Sequence, residues 1–137
     1  GSRLLQQLAA ARLPVLGVDF DPEAVRTLRR SKLPVRFGDG EDPSFLESLP
    51  LQHAEWVVTS FPQWEANRAF LHALKHAGFQ GKIAGVVRDD QHGKALDAAG
   101  VARVLNPFTD AADFAARSLI DELGSTPRPP TDYAARR

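Results

Sequence analysis

The residue with the clearest chemical meaning is a carboxylate at the end of an apolar run. Asp19 lies near the end of the predicted strand Val15–Phe20, 18 positions after Gly1. In dinucleotide-binding folds, about 20 residues separate the glycine-rich phosphate turn from the carboxylate that accepts the ribose hydroxyls of an adenosine. We therefore expect Asp19 to hold a ribose, with Phe20 in the same binding set. Its charge would repel a 2′-phosphate, which favours NAD or AMP/ATP over NADP.

Asp19 has a second interpretation, as the cap of the helix that follows. Asp21 already supplies that cap, because it stands directly before Pro22. An aspartate followed by a proline is typical of the first positions of a helix. We therefore favour the ribose role for Asp19.

The first residues could form the phosphate-binding end of a helix. Gly1 would be the third glycine of the phosphate turn, and Ser2 and Arg3 would start the helix. The amide groups and the dipole of that helix would hold a phosphate. Gly1-Ser2 could equally be a cloning scar, and both interpretations stay open. Because no methionine is present even at position 1, we expect a processed protein or an excised fragment.

Two further strand ends carry candidate ligand contacts. In the turn 38–40, Asp39 could accept a hydrogen bond from an adenine amino group, and Gly40 would allow a close backbone approach. The alternative is an ordinary turn that tolerates a positive φ. Ser60 and Phe61 follow the next strand, across the topological switch point where such sheets bind ligands. Phe61 could equally fill the core.

Arg88 ends the fourth predicted strand and could reach a ligand phosphate or a carboxylate of a partner. A plain surface ion pair with Asp89 or Asp90 is at least as consistent with the sequence. Both interpretations of Arg88 stay open.

The remaining chemistry argues against metal binding and catalysis. His72 and His76 have the spacing of a shared metal site, but no third ligand lies nearby in sequence, so we predict no metal site. We also predict no catalytic residue, because no Gly-x-Ser-x-Gly, paired-carboxylate or Walker-lysine motif is present.

Composition excludes several further classes of protein. The 17 basic and 17 acidic residues give a formal net charge of +0, whereas nucleic-acid binders usually carry a basic excess. The absence of cysteine excludes disulfides and thiolate metal sites. No apolar run approaches the roughly 20 residues that a bilayer-spanning helix needs.

Strand-like and helix-like segments alternate, which requires parallel strands joined by crossover helices. A dinucleotide-binding sheet has six strands in the order 3-2-1-4-5-6, and the strand missing from this sequence is the first. We predict an α/β, Rossmann-like, doubly wound parallel sheet without its first strand and most of its glycine-rich loop. Residues 1–123 would form this domain, and residues 124–137 a flexible, proline-rich tail. The predicted strands are Val15–Phe20, Pro34–Phe37, Glu55–Thr59, Ile83–Val87 and Arg103–Leu105.

The last predicted helix, which would be capped by Thr109 or Asp110, is apolar over more than half of its circumference. One apolar stripe is enough to pack on the parent sheet, so the surplus favours a homodimer contact through residues 110–123. The alternative is that alanines on an exposed face simply favour the helix. The large side chains that favour the dimer are Leu119, Ile120 and Leu123.

Several stretches of the sequence together resemble the RCK/KTN family, the TrkA-N type of regulatory domain. They are Leu16–Glu23, Gly38–Pro43 with Phe45 and Leu46, Ala54–Thr59, Glu65–Asn67, Lys82–Asp89 and Gly100–Pro107. The resemblance runs from Gly1 to about Leu123. It implies a domain on the cytoplasmic side of potassium channels, Trk/Ktr transporters or Kef-like cation:proton antiporters. The proline-rich tail, with no second lobe, is most similar to the Kef-type arrangement.

The resemblance also implies ligands, partners and roles. It implies binding of NAD(H), AMP or ATP, and dimers whose rearrangement gates a linked transmembrane transporter. Asp19 matches the ribose aspartate of the family and Asp39 the residue near adenine. Gly1 matches the last glycine of the phosphate loop, and Arg88 an arginine at the ligand or subunit interface. Two alternatives to this non-enzymatic function remain: a Rossmann domain of an NAD-dependent oxidoreductase or epimerase, and an assembly domain with a degenerate pocket.

Overall fold

The structure is a computed structural model that describes residues 2–124, so Gly1 and the tail from residue 125 onward lie outside the described part. The helices are α1 (Ser2–Ala10), α2 (Pro22–Arg30), α3 (Pro43–Glu47), α4 (Trp64–His76), α5 (Asp90–Ala98) and α6 (Pro107–Gly124), with a 3₁₀ turn at Leu51–His53. The strands are β1 (Gly17–Asp19), β2 (Val35–Phe37), β3 (Trp56–Thr59), β4 (Lys82–Val86) and β5 (Arg103–Leu105).

All strand pairings are parallel, as the alternation of strands and helices predicts. β1 pairs with β2, so that Gly17 lies opposite Val35 and Asp19 opposite Phe37. β4 lies between β3 and β5 in a second sheet. The break between the sheets falls where the order 3-2-1-4-5-6 has its first strand. The Rossmann-like, doubly wound fold is therefore confirmed.

The first sheet packs with α1 and α2 around a small apolar core. Leu5, Val25, Leu28 and Val35 are its buried members, with Val15 and Leu33 packed against them. α1 approaches β1 so closely that a Cβ atom at Gly17 would lie 2.8 Å from Cδ2 of Leu5. As predicted, α2 begins at the cap formed by Asp21, whose Oδ1 accepts a hydrogen bond from the backbone N–H of Glu23 at 3.0 Å.

The contact between α3 and α4 attaches the segment after β2 to the second sheet. Leu46 of α3 and Leu74 of α4 are each only 1% exposed and belong to one buried cluster. A second cluster surrounds Leu96 of α5, which is completely buried. Ile83 of β4 packs against both clusters, so the two cores share one strand.

α6 is an exposed helix with an apolar surface. None of its residues is buried, and the large side chains of Phe114 and Ile120 are 69% and 65% exposed. The homodimer contact predicted for residues 110–123 stays a prediction. Among the described residues, neither α6 nor another helix has the length and apolar character needed to cross a membrane.

The start of α6 differs from the sequence-based prediction. The helix begins at Pro107, and Oδ1 of Asn106 accepts hydrogen bonds from the N–H groups of Phe108 at 3.1 Å and Thr109 at 3.3 Å. Asp110 instead accepts a hydrogen bond from the backbone N–H of Asn106 at 3.1 Å. The cap predicted at Thr109 or Asp110 is therefore wrong, because Asn106 satisfies the first N–H groups of the helix.

Candidate functional site

The turns that follow β1 and β2 lie at the same edge of their parallel sheet, and Phe61 of the turn after β3 lies against Gly40 of the second turn. We call this region, residues 19–20, 38–40 and 60–61, the strand-end edge. Backbone hydrogen bonding joins the first two turns, since the N–H of Gly38 donates to the carbonyl oxygen of Asp19 at 3.0 Å. Ligands of doubly wound sheets bind at such an edge.

Asp19 is half-buried at the strand-end edge. Its Oδ1 accepts a hydrogen bond from the backbone N–H of Asp21 at 2.9 Å, and its Oδ2 makes no hydrogen bond with the described residues. Since Asp21 caps α2, Asp19 is not needed as a helix cap. One carboxylate oxygen is thus available to accept a hydrogen bond from a ligand hydroxyl. The ribose role of Asp19 itself stays a prediction.

The turn after β2 has glycines for a different reason than the sequence suggests. Neither Gly38 nor Gly40 has a positive φ, so the positive-φ interpretation of this turn is wrong. Aromatic rings lie close to both residues instead. A Cβ at Gly38 would lie 2.2 Å from the ring of Phe45, and a Cβ at Gly40 would lie 3.0 Å from Cζ of Phe61. These glycines let the backbone pass directly against the rings.

Phe61 connects the turn after β2 to α4. Its ring is partly buried against the cluster that contains Phe70, with the two ring centroids 5.5 Å apart in an edge-to-face arrangement. The same ring lies against Gly40. Phe61 therefore has the packing role that the sequence left as an alternative, and its contact with a ligand stays a prediction.

The other candidates on this side are exposed polar groups and one exposed ring. Phe20 is 66% exposed, and Asp39 is exposed with its Oδ1 accepting a hydrogen bond from the N–H of Glu41 at 2.9 Å. Ser60 and Arg88 are also exposed. These four side chains are accessible to a ligand, and their ligand contacts stay predictions.

Arg88 forms no ion pair with Asp89 or Asp90 among the described residues. Asp89 instead caps α5, where its Oδ1 accepts a hydrogen bond from the backbone N–H of His92 at 2.8 Å. The plain ion-pair interpretation of Arg88 is therefore wrong. Its guanidinium stays available to an anion.

The predicted phosphate end is only partly described. Ser2 is the first residue of α1, and Arg3 is exposed in its first turn. The role predicted for Gly1 concerns a residue outside the described range. The N-terminal amide groups of a helix favour an anion, so the start of α1 has the chemistry that the prediction requires.

A buried polar cluster behind the strand-end edge was missed at the sequence level. Thr59, Asn67 and His92 are 3%, 0% and 7% exposed. Oγ1 of Thr59 donates to Oδ1 of Asn67 at 2.5 Å, and Nδ2 of Asn67 lies 2.7 Å from Nε2 of His92. Asn67 and His92 lie 25 positions apart on different helices, so no local spacing could have revealed the cluster.

Two cavities of the described chain lie outside the strand-end edge. One of about 400 Å³ is lined by residues from the 3₁₀ turn and from the segment after α4. The other, of about 310 Å³, lies along α5 and β5.

Comparison with known proteins shows which sequences and folds the chain resembles. The family model of the TrkA-N domain matches residues 1–107. The glutathione-regulated potassium-efflux system protein KefC of Cronobacter sakazakii (strain ATCC BAA-894) is 27% identical over 117 residues. The alignment covers 85% of this chain and 19% of KefC, so the chain spans about a fifth of the length of that relative.

Solved structures share the fold at low sequence identity. The TrkA-N domain of the inner membrane protein YbaL from Escherichia coli has a TM-score of 0.72 and 18% identity, covering 87% of this chain and 88% of that chain. The Kef CTD of Shewanella denitrificans in its AMP-bound form has a TM-score of 0.68 and 19% identity, covering 89% and 74%. At these identities the likeness establishes the fold alone.

Proposed function

Because the chain belongs to the TrkA-N domain family, we propose that it is a regulatory domain that binds an adenine nucleotide at the strand-end edge. The nucleotide would be NAD(H), AMP or ATP rather than NADP. The domain would lie at the cytoplasmic face of the membrane, linked to a protein that moves potassium or exchanges a cation for protons. It would gate that transport and would not catalyse a reaction.

The observation that carries the proposal is the half-buried carboxylate of Asp19 with Oδ2 available. A carboxylate at the end of this strand can accept hydrogen bonds from ribose hydroxyls, and hydrogen bonds to a charged acceptor are the stronger kind. The same negative charge would repel a 2′-phosphate. This electrostatic difference supports NAD(H) or an adenosine phosphate over NADP.

Relatives support the context of the proposal. KefC is a potassium-efflux system protein by name, and the Kef CTD of similar fold holds AMP. The chain spans only about a fifth of the length of KefC. Its coupling to a transporter is therefore part of the proposal. AMP is the simplest probe, because it carries the adenine, the ribose and one phosphate.

α6 supplies the partner surface of the proposal. Its exposed apolar side chains would bury one another across a homodimer of residues 110–123. A nucleotide that binds one dimer arrangement more tightly than another shifts the gate by that difference in affinity and by no more. Regulation therefore requires two arrangements with different affinities.

The test is calorimetric titration of the full chain with NADH, AMP, ATP and NADPH. We expect saturable binding of the first three and weaker binding of NADPH. In Asp19→Asn the amide oxygen still accepts from Asp21, but the charge is lost. AMP affinity should fall about tenfold or more, as expected for a charge-assisted hydrogen bond, and the discrimination against NADPH should shrink.

Glu41→Gln is the matched control, because it removes one exposed carboxylate directly after the turn 38–40 and leaves Asp19 unchanged. It should leave AMP affinity unchanged. An equal loss in both variants would assign the effect to net charge rather than to Asp19. Absence of saturable binding by any of the four nucleotides would overturn the proposal.

A further inference from the structure

The buried side-chain amide of Asn67 is hydrogen-bonded to the backbone of the turn after β3. Its Nδ2 donates to the carbonyl oxygen of Phe61 at 3.2 Å and lies 2.7 Å from Nε2 of His92, while its Oδ1 accepts from Thr59. These contacts use both N–H groups and the oxygen of the amide. We propose that Asn67 is a positioning residue for nucleotide binding and that its hold on Phe61 requires Nε2 of His92 to be unprotonated. This inference rests on the function proposed above.

The chemistry of Phe61 fixes which way the amide points. A backbone carbonyl oxygen can only accept, so the Asn67 atom that faces it must be the nitrogen. That same nitrogen faces Nε2 of His92, which must therefore be an acceptor. The hydroxyl of Thr59 can donate or accept and does not restrict the choice.

A proton on Nε2 of His92 would place two donors face to face at 2.7 Å. Rotating the Asn67 amide would relieve that contact, but it would bring Oδ1 against the carbonyl oxygen of Phe61, and two acceptors repel. Either response removes the hydrogen bond that holds Phe61. In a buried site the unpaired groups have no water to replace the lost partner.

The position of Phe61 matters because its ring lies against Gly40. Release of the Phe61 carbonyl therefore frees a ring that packs between the turn after β2 and Phe70 of α4. Asp39 and Gly40 are the predicted adenine contacts in that turn. Protonation of His92 should thus loosen the adenine side of the strand-end edge without any contact between His92 and the ligand.

The surroundings of His92 come from α4 directly and from the turn after β3 through Asn67. α4 presents the ring of Trp64, edge-to-face with the imidazole at a centroid distance of 5.9 Å, and the amide of Asn67. The turn after β3 presents the Phe61 carbonyl, through Asn67. Neither α4 contact titrates near neutral pH. The charged residues of α4 are Glu65, Arg68 and Lys75, and those of the β4 end and the α5 start are Arg88, Asp89 and Asp90; all six are exposed.

The first experiment needs no nucleotide. Amide and imidazole resonances of the full chain are followed between about pH 5 and pH 8, the range in which histidine changes charge. The Asn67 side-chain amide and the backbone amides of Phe61 and Gly40 should shift with the same midpoint as the His92 ring. His92→Gln keeps an amide oxygen as acceptor but removes the titration, so these shifts should vanish.

His76→Gln is the matched control, because His76 is exposed on α4. It should leave the shifts of Phe61 and Gly40 intact. The titration of the wild-type chain tests the inference even if His92→Gln does not fold. Resonances of Phe61 and Gly40 that stay still while the His92 ring titrates would overturn the inference.

The second experiment measures AMP affinity at about pH 6 and pH 8. Wild-type chain and His76→Gln should bind AMP about three- to tenfold more weakly at the lower pH, the change that one neutral hydrogen bond supports. In His92→Gln only the pH dependence of AMP itself should remain, because its phosphate takes up a proton near about pH 6. Equal pH dependence in all three would overturn the positioning role. Absence of AMP binding at every pH would overturn the proposed function. The first experiment would still test whether the hydrogen bond from Asn67 to Phe61 depends on the protonation of His92.

Discussion

A Cβ atom at Gly85 would lie 2.4 Å from Cδ1 of Leu96, so β4 and α5 approach at a distance that a larger residue does not permit. Leu96 is completely buried among the core residues that include Val87 and Val101, and a side chain in such a core has little room to move. The second sheet therefore depends on Gly85 for its packing against α5.

Gly85→Ala should lower the free energy of unfolding by about 1–3 kcal/mol, the usual cost of an extra methyl group in a filled core. The midpoint of urea denaturation measures this loss. Gly124→Ala is the control, because no atom of the described residues lies within 4 Å of a Cβ at that position, and its midpoint should not fall. Coincident unfolding curves for Gly85→Ala and wild type would contradict the close approach.

Leu74→Ala tests the packing between α3 and α4. Leu74 is 1% exposed and packs with Leu46, so its truncation leaves a cavity where the segment after β2 meets the second sheet. We expect a loss of about 2–5 kcal/mol in the free energy of unfolding, measured by urea denaturation. Leu13→Ala, at a side chain that is 53% exposed, should cost less than about 0.5 kcal/mol. Similar losses in the two variants would contradict the assignment of this core.

The starts of the helices were predictable where the signal is local. Asp21 and Asp42 each precede a proline, and each accepts a hydrogen bond from the N–H two residues later, at 3.0 Å in both cases. Asn106 before Pro107 has the same pattern, yet the prediction placed the cap at Thr109 or Asp110. The error was one of choice between local candidates, since asparagine caps helices as well as aspartate does.

The parallel sheet was predictable because alternating strands and helices leave few topologies. The contacts that complete the candidate site were not predictable in the same way. The nearness of Gly40 to Phe61 and of Asn67 to His92 depends on how distant elements pack. No local period in the sequence marks such pairs of residues, so both contacts are visible only in the folded chain.

The dimer surface proposed for α6 can be tested with one charge on each side of the helix. Ile120 is 65% exposed and lies beside Leu119 and Leu123 on the apolar side. Ser118 lies two positions earlier, about 200° around a helix of 3.6 residues per turn. Ile120→Glu would bury a carboxylate in an apolar contact, which is costly, whereas Ser118→Glu adds the same charge on the other side.

Sedimentation equilibrium of the full chain should show a dimer whose dissociation constant rises about tenfold or more in Ile120→Glu, which corresponds to at least about 1.4 kcal/mol. Ser118→Glu should associate like the wild type. Helix content measured by circular dichroism should match in all three, since neither position is buried within the monomer. Equal weakening by both substitutions would point to charge repulsion instead. A wild-type chain that stays monomeric at every concentration would contradict the prediction, because the exposed apolar side chains of α6 would then not be buried by a second copy.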